Sequence, residues 1–328
     1  MSLGVLNNIS ALYAENNLNQ TQASLQNVLT QLSSGSRINS GADDAAGLSL
    51  ANGLEANSTA LTQSTANANE GVGLLQVADG ALSQVTSLLN RAVTLATEAS
   101  NGTLDGTQDA AANQEYQSIL AEVDNIGSTT TYNSQQVFGQ GTTNNVVSIY
   151  TGDSTAAGAS IDQLTFAPLN SASVGVTGGS ITYTAGVAPT TGKNASAGSA
   201  ATISYTGATA GQDLSTTALY SSTAATAGAT ATPSQIVAQT ALTDLNAAIS
   251  DVASERGYIG AQINTLNAVA NVESTQQENV TSAENTVTAT DYASATSQMS
   301  KYEILSQTGI SALAQANSVQ QEVLKLLQ

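Results

Sequence analysis

The sequence predicts a mainly α-helical protein with a β insert. N- and C-terminal helices are expected to form a coiled-coil core and helical bundle, and the central part a β-rich outer domain. Apolar residues recur at heptad spacing in both flanks of the 328-residue chain, as they do in coiled coils. The middle is rich in Thr, Ala, Ser and Gly and contains all three prolines, Pro168, Pro189 and Pro233. Because proline interrupts helices, we expect helices in the flanks and strands between them.

The first segment is predicted to be a helix that ends at Gly35, and its apolar stripe is thin. One face carries Val5, Ile9 and Leu12, and another carries Leu18, Leu25, Leu29 and Leu32. The C-terminal segment is equally sparse, with Met299, Tyr302, Ile310, Leu313, Val319, Val323 and Leu327. Neither helix alone buries enough apolar area to offset its ordering entropy. We therefore expect association between molecules, with packing of both ends on the same molecule as the alternative.

Two adjacent acids, Asp43 and Asp44, stand where the next helix is predicted to begin. Acids at this position usually cap free N–H groups and complement the helix dipole. We prefer that role to an acid/base pair. Arg37 is close enough in sequence to pair with them.

The strongest periodicity follows, in residues that fall seven apart: Leu54, Leu61, Ala68, Leu75, Leu82, Leu89 and Ala96. A coiled-coil seam needs a second apolar position in each heptad. Much of that second position is supplied by Leu50, Ala78, Val85 and Ala92. Gly71 and Gly73 lie inside this series and are expected to permit close helix packing. A shorter helix after two turn signals, Asn101-Gly102 and Asp105-Gly106, carries on one face Tyr116, Ile119, Val123 and Ile126.

A second heptad series lies in the other flank and alternates steps of three and four: Leu242, Leu245, Ile249, Val252, Arg256, Ile259, Ile263, Leu266 and Ala270. The three helices are predicted to close one bundle. Arg256 falls on a core position, where a cation costs stability unless it is paired. Either its side chain reaches out to solvent or it pairs with an acid on a neighbouring helix.

Between the helices, short β-branched or aromatic runs predict strands joined by glycine turns. The runs are Val146 to Thr151, Ser180 to Ala185 and Ala201 to Thr206. A flexible low-complexity insert is the alternative. Because every heptad lies outside Leu169 to Thr232, we expect removal of that segment to leave assembly intact.

Composition excludes several function classes. Charged residues make up 9% of the chain, against about 25% in a typical soluble domain. Six basic residues oppose 24 acidic ones, a net charge of −18, which argues against nucleic acid and anionic membrane surfaces as partners. Cys and His are absent, so thiol, Ser-His-Asp and His-zinc chemistry are excluded. We expect no enzyme, no cofactor, no metal, no catalytic residue and no membrane insertion, and the start lacks the features of a signal peptide.

Specific motifs then appear at both ends. The turn and helix start from Ser34 to Leu48, SGSRINSGADDAAGL, is similar to the signature segment of bacterial flagellins. The stretch EGVGLLQVADGAL from Glu70 resembles the start of that family's central helix. The tail resembles the family's C-terminal segment in order and spacing through Asp291-Tyr292-Ala293, Met299 to Leu305, Leu313 to Asn317 and Val323 to Leu327. The match covers about residues 1 to 140 and 235 to 328.

This resemblance implies three domains. An inner helical core domain would comprise residues 1–42 and 289–328, and a helical bundle domain residues 43–167 and 234–288. The bundle domain would include a β-hairpin within Val146 to Phe166, and a variable β-rich outer domain would span residues 168–233.

The resemblance also implies a structural subunit that self-assembles into the bacterial flagellar filament for motility. Such a subunit is secreted without a cleaved signal peptide, and its partners are copies of itself and the flagellar export chaperone, cap and junction proteins. The alternatives are a flagellin-like hook-filament junction protein and a glycan-binding surface fibre. The signature turn is Arg37, Asn39, Asp43 and Asp44. The residues expected to carry polymerisation are Val5, Ile9, Leu12, Leu18, Leu25, Met299, Tyr302, Leu313, Val323 and Leu327.

Overall fold

The fold is mostly helical, as a computed structural model of the protein shows. It describes residues 8–141, 143–152, 161–177, 180–184, 202–206, 209–219, 221 and 233–326. The helices are α1 (Ile9–Ser34), α2 (Ala45–Ser100), α3 (Gly106–Thr129), α4 (Pro233–Thr288) and α5 (Tyr292–Leu326). The prediction of helical flanks around a strand-containing middle is confirmed.

Local sequence sets where the helices begin and end. Asn8 caps α1 by accepting the Ala11 N–H, and Gly35 ends α1 in the left-handed region at φ 71°, where glycine carries no steric cost. Asp105 and Gln108 form a reciprocal capping box at the start of α3, which satisfies N–H groups that have no partner within the helix. Pro233 opens α4, a position where its missing N–H costs nothing.

The described residues between α3 and α4 form nine short strands: β1 (Thr131–Tyr132), β2 (Gln135–Gln136), β3 (Asn145–Tyr150), β4 (Ile161–Phe166), β5 (Leu169–Asn170), β6 (Ser173–Thr177), β7 (Ser180–Thr184), β8 (Thr202–Thr206) and β9 (Thr209–Gln212). All pairings are antiparallel: β1 with β2, β3 with β4, β5 with β6, β6 with β9, and β7 with β8. The predicted strands are confirmed over residues 146–150, 180–184 and 202–206, and the antiparallel pairing of β3 with β4 confirms the predicted hairpin strands within 146–166. Thr151 lies just after β3, and residues 185 and 201 lie outside the described residues.

The protein forms two compact units. The terminal unit comprises Met1–Thr59 and Gln277–Gln328, and the bundle unit comprises Ala60–Gln276. The three-domain division expected from the sequence stays a prediction.

The core of the bundle unit is built on the predicted seam of α2. Leu75, Leu82 and Leu89 are fully buried, and Val85 between them is fully buried as well. They share one hydrophobic cluster with α3, α4 and the β3–β4 hairpin, so the three-helix bundle is confirmed. Leu50, which was expected in the seam, is instead 53% exposed.

The α4 seam differs from the prediction at one of its two heptad positions. Leu245, Val252, Ile259 and Leu266 are buried as expected. Their companions are Ala241, Ala248, Glu255 and Gln262. The predicted companions Leu242, Ile249, Arg256 and Ile263, with Ala270, are only half-buried. The face of α4 that points into the core is therefore shifted by one residue from the predicted one, toward two alanines and two polar side chains.

Helix α2 approaches α4 closely at Gly71. An added Cβ at Gly71 would lie 3.0 Å from Leu266 Cδ1, so the expected role of this glycine in close packing is confirmed.

Both described ends of the central insert belong to the bundle core. Leu169, Val174, Leu214 and Leu219 are buried within the same cluster as the helices. The Tyr116 hydroxyl on α3 bonds the Thr217 hydroxyl at 2.5 Å. Removal of Leu169 to Thr232 would therefore take residues out of the bundle core, and the expectation that assembly survives this removal stays a prediction. Residues 185–201 and 222–232 lie outside the described residues.

Helix α2 also contains an 18-residue window whose length and composition would allow it to cross a membrane, with a mean hydropathy of 1.2. One such helix is weak evidence, since the core helix of a soluble protein passes the same test. The apolar seam of α2 is already packed against protein.

Candidate functional site

The terminal unit pairs the first and last helices of the protein. Val28 on α1 and Ala295 on α5 are each 5% exposed. Gly309 permits the close approach of the two helices, because an added Cβ would lie 3.2 Å from Leu18 Cδ1. At the far end, Asn8 Nδ2 donates to the Ala316 carbonyl at 3.0 Å. An open groove of about 620 Å³ between the helices is lined by Leu18, Tyr302 and Leu305 and otherwise by small or polar residues.

Large apolar side chains also stand on the outside of this pair. Ile9 and Leu12 on α1 are 61% and 58% exposed, and Ile304 and Ile310 on α5 are 62% and 54% exposed. Tyr13 is exposed as well. Scattered exposed apolar residues are ordinary on a protein surface, but these recur on the two helices whose own pairing buries little. The α1–α5 pair therefore presents apolar area that a further protein surface would cover.

The structure sorts the predicted polymerisation residues into two described groups. Ile9 and Leu12 are exposed. Five are half-buried on the two paired helices: Leu18, Leu25, Met299, Tyr302 and Leu313. Val5 and Leu327 lie outside the described residues, as does the side chain of Val323. Their role in polymerisation stays a prediction.

The signature turn folds around its two acids. Asp43 Oδ2 accepts the backbone N–H groups of Asn39 and Ser40, at 3.1 and 2.9 Å, and the Ser40 hydroxyl at 3.0 Å. The hydrogen bond from the Asn39 N–H, followed by those from Ser40, lowers the pKa of Asp43. Asp44 Oδ1 accepts the N–H groups of Ala46 and Gly47 at the start of α2. The predicted capping role is thus filled by Asp44, while Asp43 closes the turn before it.

Arg37 does not pair with these acids. Its Nη2 donates to the Val287 carbonyl at 2.8 Å, and its backbone N–H donates to the Thr288 carbonyl at 2.7 Å. A cation is favoured there because the last carbonyls of α4 carry partial negative charge. Ser36 and Ala289 form an antiparallel bridge alongside. The signature turn therefore joins the α1–α2 connection to the α4–α5 connection.

In the bundle unit, Arg256 pairs with Asp79 on α2, so the neighbouring-helix alternative is confirmed. Arg256 Nε donates to Asp79 Oδ1 at 2.7 Å and Nη2 donates to Oδ2 at 3.3 Å. This bond raises the pKa of Arg256 above its ordinary value. The side chains are 36% and 40% exposed. Arg256 thus lies at the edge of the seam and not in its core.

Sequence analysis missed Glu255, which occupies the core position instead. It is 2% exposed, and its Oε1 accepts the Ala167 N–H at 3.0 Å, directly after β4. Its other carboxyl oxygen has no hydrogen-bond partner among the described residues. Burial raises the pKa of Glu255 to about 7, and the bond from Ala167 acts in the opposite direction. The available signal was the seven-residue spacing of Glu255 and Gln262, two polar side chains in phase with Ala241 and Ala248.

The described residues contain no group of three or more acidic side chains arranged to hold a metal ion. What the terminal helices offer is apolar surface, small residues that allow close packing and a turn that fixes both helix connections. These features suit noncovalent association with another protein surface.

Family comparisons agree with this picture. The bacterial flagellin N-terminal helical region matches residues 5–143, and the bacterial flagellin C-terminal helical region matches residues 242–327. Flagellin from Listeria innocua is 30% identical over 323 residues, covering 98% of each chain. Flagellin A from Vibrio anguillarum is 28% identical over 404 aligned positions, covering 100% of each. Phase 1 flagellin from Salmonella naestved is 39% identical over 133 residues, which are 40% of this chain and 26% of the relative. The chain belongs to the bacterial flagellin family and is a structural filament subunit of the flagellum, an extracellular appendage.

Proposed function

We infer that polymerisation proceeds through α1 and α5, whose outward apolar residues gain partners only from neighbouring subunits. The observation that carries this proposal is the exposure of Ile9, Leu12, Ile304 and Ile310 on two helices that pack mainly on each other. Full burial of one such side chain contributes about 1.5 to 3 kcal/mol. Several burials per subunit then offset the loss of freedom on association.

The ten residues predicted to carry polymerisation enter this proposal with different roles. Ile9 and Leu12 would meet neighbouring subunits directly. The half-buried group, Leu18, Leu25, Met299, Tyr302 and Leu313, would hold α1 against α5 so that the outer residues keep their register. Val5, Val323 and Leu327 are retained on their sequence pattern alone. An open helical fibre follows when contacts of this kind repeat with a rotation that does not close.

The proposal keeps an inner domain of residues 1–42 and 289–328 and a middle domain of residues 43–167 and 234–288. The outer domain lies within 168–233, between the two stretches that join the bundle core. Family membership further supports export without a cleaved signal peptide and contacts with an export chaperone, a cap protein and junction proteins. It also supports a purely structural, non-enzymatic role, in a sequence without Cys or His.

Truncation after Thr296 tests the proposal, because it removes nearly all of α5 and leaves the bundle unit of Ala60–Gln276 complete. We expect loss of polymerisation, measured by sedimentation and electron microscopy, while circular dichroism still shows a cooperative helical melt. The matched control is Ser300→Ala, an exposed polar position on α5, which should assemble like the unaltered protein. Fibres formed by the truncated protein would contradict the proposal. A full-length protein that never elongates by itself would favour the junction-protein alternative.

A further inference from the structure

The same reactive dipeptide occurs in this protein in two different backbone settings. Asn52-Gly53 lies inside α2, and Asn101-Gly102 lies just after α2 ends at Ser100. Both asparagines are exposed. The two dipeptides therefore differ in backbone conformation and not in exposure to solvent.

At the turn after α2, the Gly102 N–H and the Asn101 side-chain amide lie outside the hydrogen-bond pattern of a helix. Gly102 is exposed and adopts φ 69°. The hydrogen bonds of the described residues include none from the Gly102 N–H. The Asn101 side chain is held by one bond, from Nδ2 to the Thr103 hydroxyl at 3.1 Å.

We propose that Asn101 is a site of spontaneous deamidation. The Gly102 backbone nitrogen loses its proton to solvent and attacks Asn101 Cγ, and a new bond forms between these two atoms. The Cγ–Nδ2 bond of Asn101 then breaks, and the leaving Nδ2 group takes up one proton from solvent and departs as ammonia. The resulting five-membered succinimide takes up one water. Opening at one carbonyl gives aspartate, and opening at the other gives isoaspartate, so no oxidant, reductant or enzyme is needed.

Glycine is the residue that makes this attack easiest, because it has no Cβ to obstruct the approach of the backbone nitrogen. Within α2 the same attack at Asn52 is blocked, since the α-helical pattern commits the Gly53 N–H to a carbonyl four residues earlier. Asn52 reacts only when the helix opens locally. An opening free energy of about 1.4 kcal/mol already slows the reaction about tenfold.

A second contrast lies in the same connection. Asp105-Gly106 could form the same succinimide by loss of water, but the Asp105 carboxylate accepts the N–H groups of Thr107 and Gln108 at 2.9 Å each. These bonds also lower the pKa of Asp105, which disfavours the protonated form that cyclises. Reaction in this connection is therefore concentrated at Asn101.

The product changes the end of α2 in two ways. A carboxylate replaces a neutral amide beside the C-terminal carbonyls of the helix, near Glu98 and Asp105, where negative charge is unfavourable. The isoaspartate form also inserts a methylene group into the backbone between α2 and α3. The modification therefore accumulates with the age of the protein at one defined turn of the bundle.

Peptide mapping by mass spectrometry tests the proposal on the full-length protein, incubated in mildly alkaline buffer. We expect the peptide containing Asn101 to gain the mass of an amide-to-acid exchange at least about tenfold faster than the peptide containing Asn52. Asn101→Gln should remove the fast reaction. This substitution is a cleaner control than Gly102→Ala, because an added Cβ at Gly102 would collide with Gln235.

The same measurement in urea separates backbone structure from local sequence. Once the protein is unfolded, both Asn-Gly dipeptides should react at comparable rates. Equal rates in the folded protein would overturn the proposal. A preference for Asn101 that persists undiminished in urea would overturn its structural basis.

Discussion

The α1–α5 pair and the α2–α3–α4 bundle are made of similar long helices, yet they bury their apolar residues very differently. In the bundle, the α2 seam at Leu75, Leu82 and Leu89 is fully buried. Among the residues of α1 and α5 whose burial is described, Val28 and Ala295 are the buried apolar ones. The bundle thus buries its seam within one molecule, although single residues such as Val146, Ile236 and Val272 stay exposed, whereas α1 and α5 leave most of their large apolar residues exposed or half-buried. Under the proposed function, stability would come mainly from the bundle and assembly from the terminal helices.

The largest test of this comparison removes parts of the central insert. Deleting Leu169 to Thr232 takes away Leu169, Val174, Leu214 and Leu219 from the bundle core. Loss of one buried leucine side chain lowers the free energy of unfolding by about 2 to 5 kcal/mol, and that free energy is typically about 5 to 15 kcal/mol in total. We therefore expect the bundle to lose cooperative unfolding. Circular dichroism during thermal melting would show it.

A narrower deletion is the matched control. Thr177 on β6 and Thr209 on β9 are paired directly, so residues 178–208 can be replaced by Asn-Gly, a dipeptide suited to a two-residue hairpin turn. Strand β8 also contacts β4, so a modest loss of stability is expected, with cooperative unfolding and assembly retained. A cooperative melt from the wide deletion would show that the bundle does not depend on the insert.

Paired leucine truncations sharpen the comparison within single helices. Leu82→Ala, at a fully buried site, should lower the free energy of unfolding by about 2 to 5 kcal/mol. Leu12→Ala, at a site 58% exposed, should change it by less than about 0.5 kcal/mol but slow polymerisation. Urea unfolding and turbidity measure the two effects. The opposite pattern, with Leu12→Ala unfolding the monomer, would remove the proposed division of roles.

The buried carboxyl of Glu255 should make the bundle sensitive to pH. Its pKa is raised from 4.5 to about 7 in the folded protein, so the folded state keeps a proton that the unfolded state releases. Stability therefore falls as pH rises from about 4.5 to about 7, by up to roughly 3 kcal/mol, and levels off above that. Urea unfolding across this range measures the change. Glu255→Gln should flatten it, and an unchanged slope in that variant would assign the dependence to other groups.

The smallest expected effect concerns the two ion pairs found among the described residues of the bundle. Arg256–Asp79 is 36% and 40% exposed, and Arg91–Glu115 is 54% and 46% exposed. Solvent screens both, so double-mutant cycles should give coupling free energies of about 0.2 to 1 kcal/mol. The less exposed pair should have the larger value. A coupling of zero for Arg256–Asp79 would mean that the pair does not help to fix the register of α2 and α4.

Sequence periodicity was sufficient for α2 and insufficient for α4. In α2 the residues seven apart are apolar without interruption, and from Leu61 onward they are buried. In α4 one heptad position, which includes Leu245 and Val252, was predicted correctly. The second heptad position could lie on either of two adjacent sets of residues. Counting apolar residues favoured Leu242 and Ile249, but the helix turns toward Ala241, Ala248 and Glu255. The hydrogen bond that accommodates Glu255 comes from Ala167, 88 residues away, and no local pattern contains it.

The signature turn shows the same limit. Capping by an acid at the start of α2 follows from local chemistry and was predictable. The partner of Arg37 was not, because Val287 lies 250 residues further along the sequence. Local composition favoured the nearby acids, but those are already occupied by the N–H groups of Asn39, Ser40, Ala46 and Gly47.

The two residues of the Ser36–Ala289 bridge are synthesised at very different times. The ribosome makes α1 before α5, and at about 5 to 20 residues per second Ser36 and Ala289 emerge tens of seconds apart. Throughout that interval the N-terminal helix has no completed partner on its own molecule, and the bundle sequence between the two helices is synthesised during it. If the N-terminal part of the polypeptide enters a narrow export channel during this interval, there is no α1–α5 pair that must first be separated.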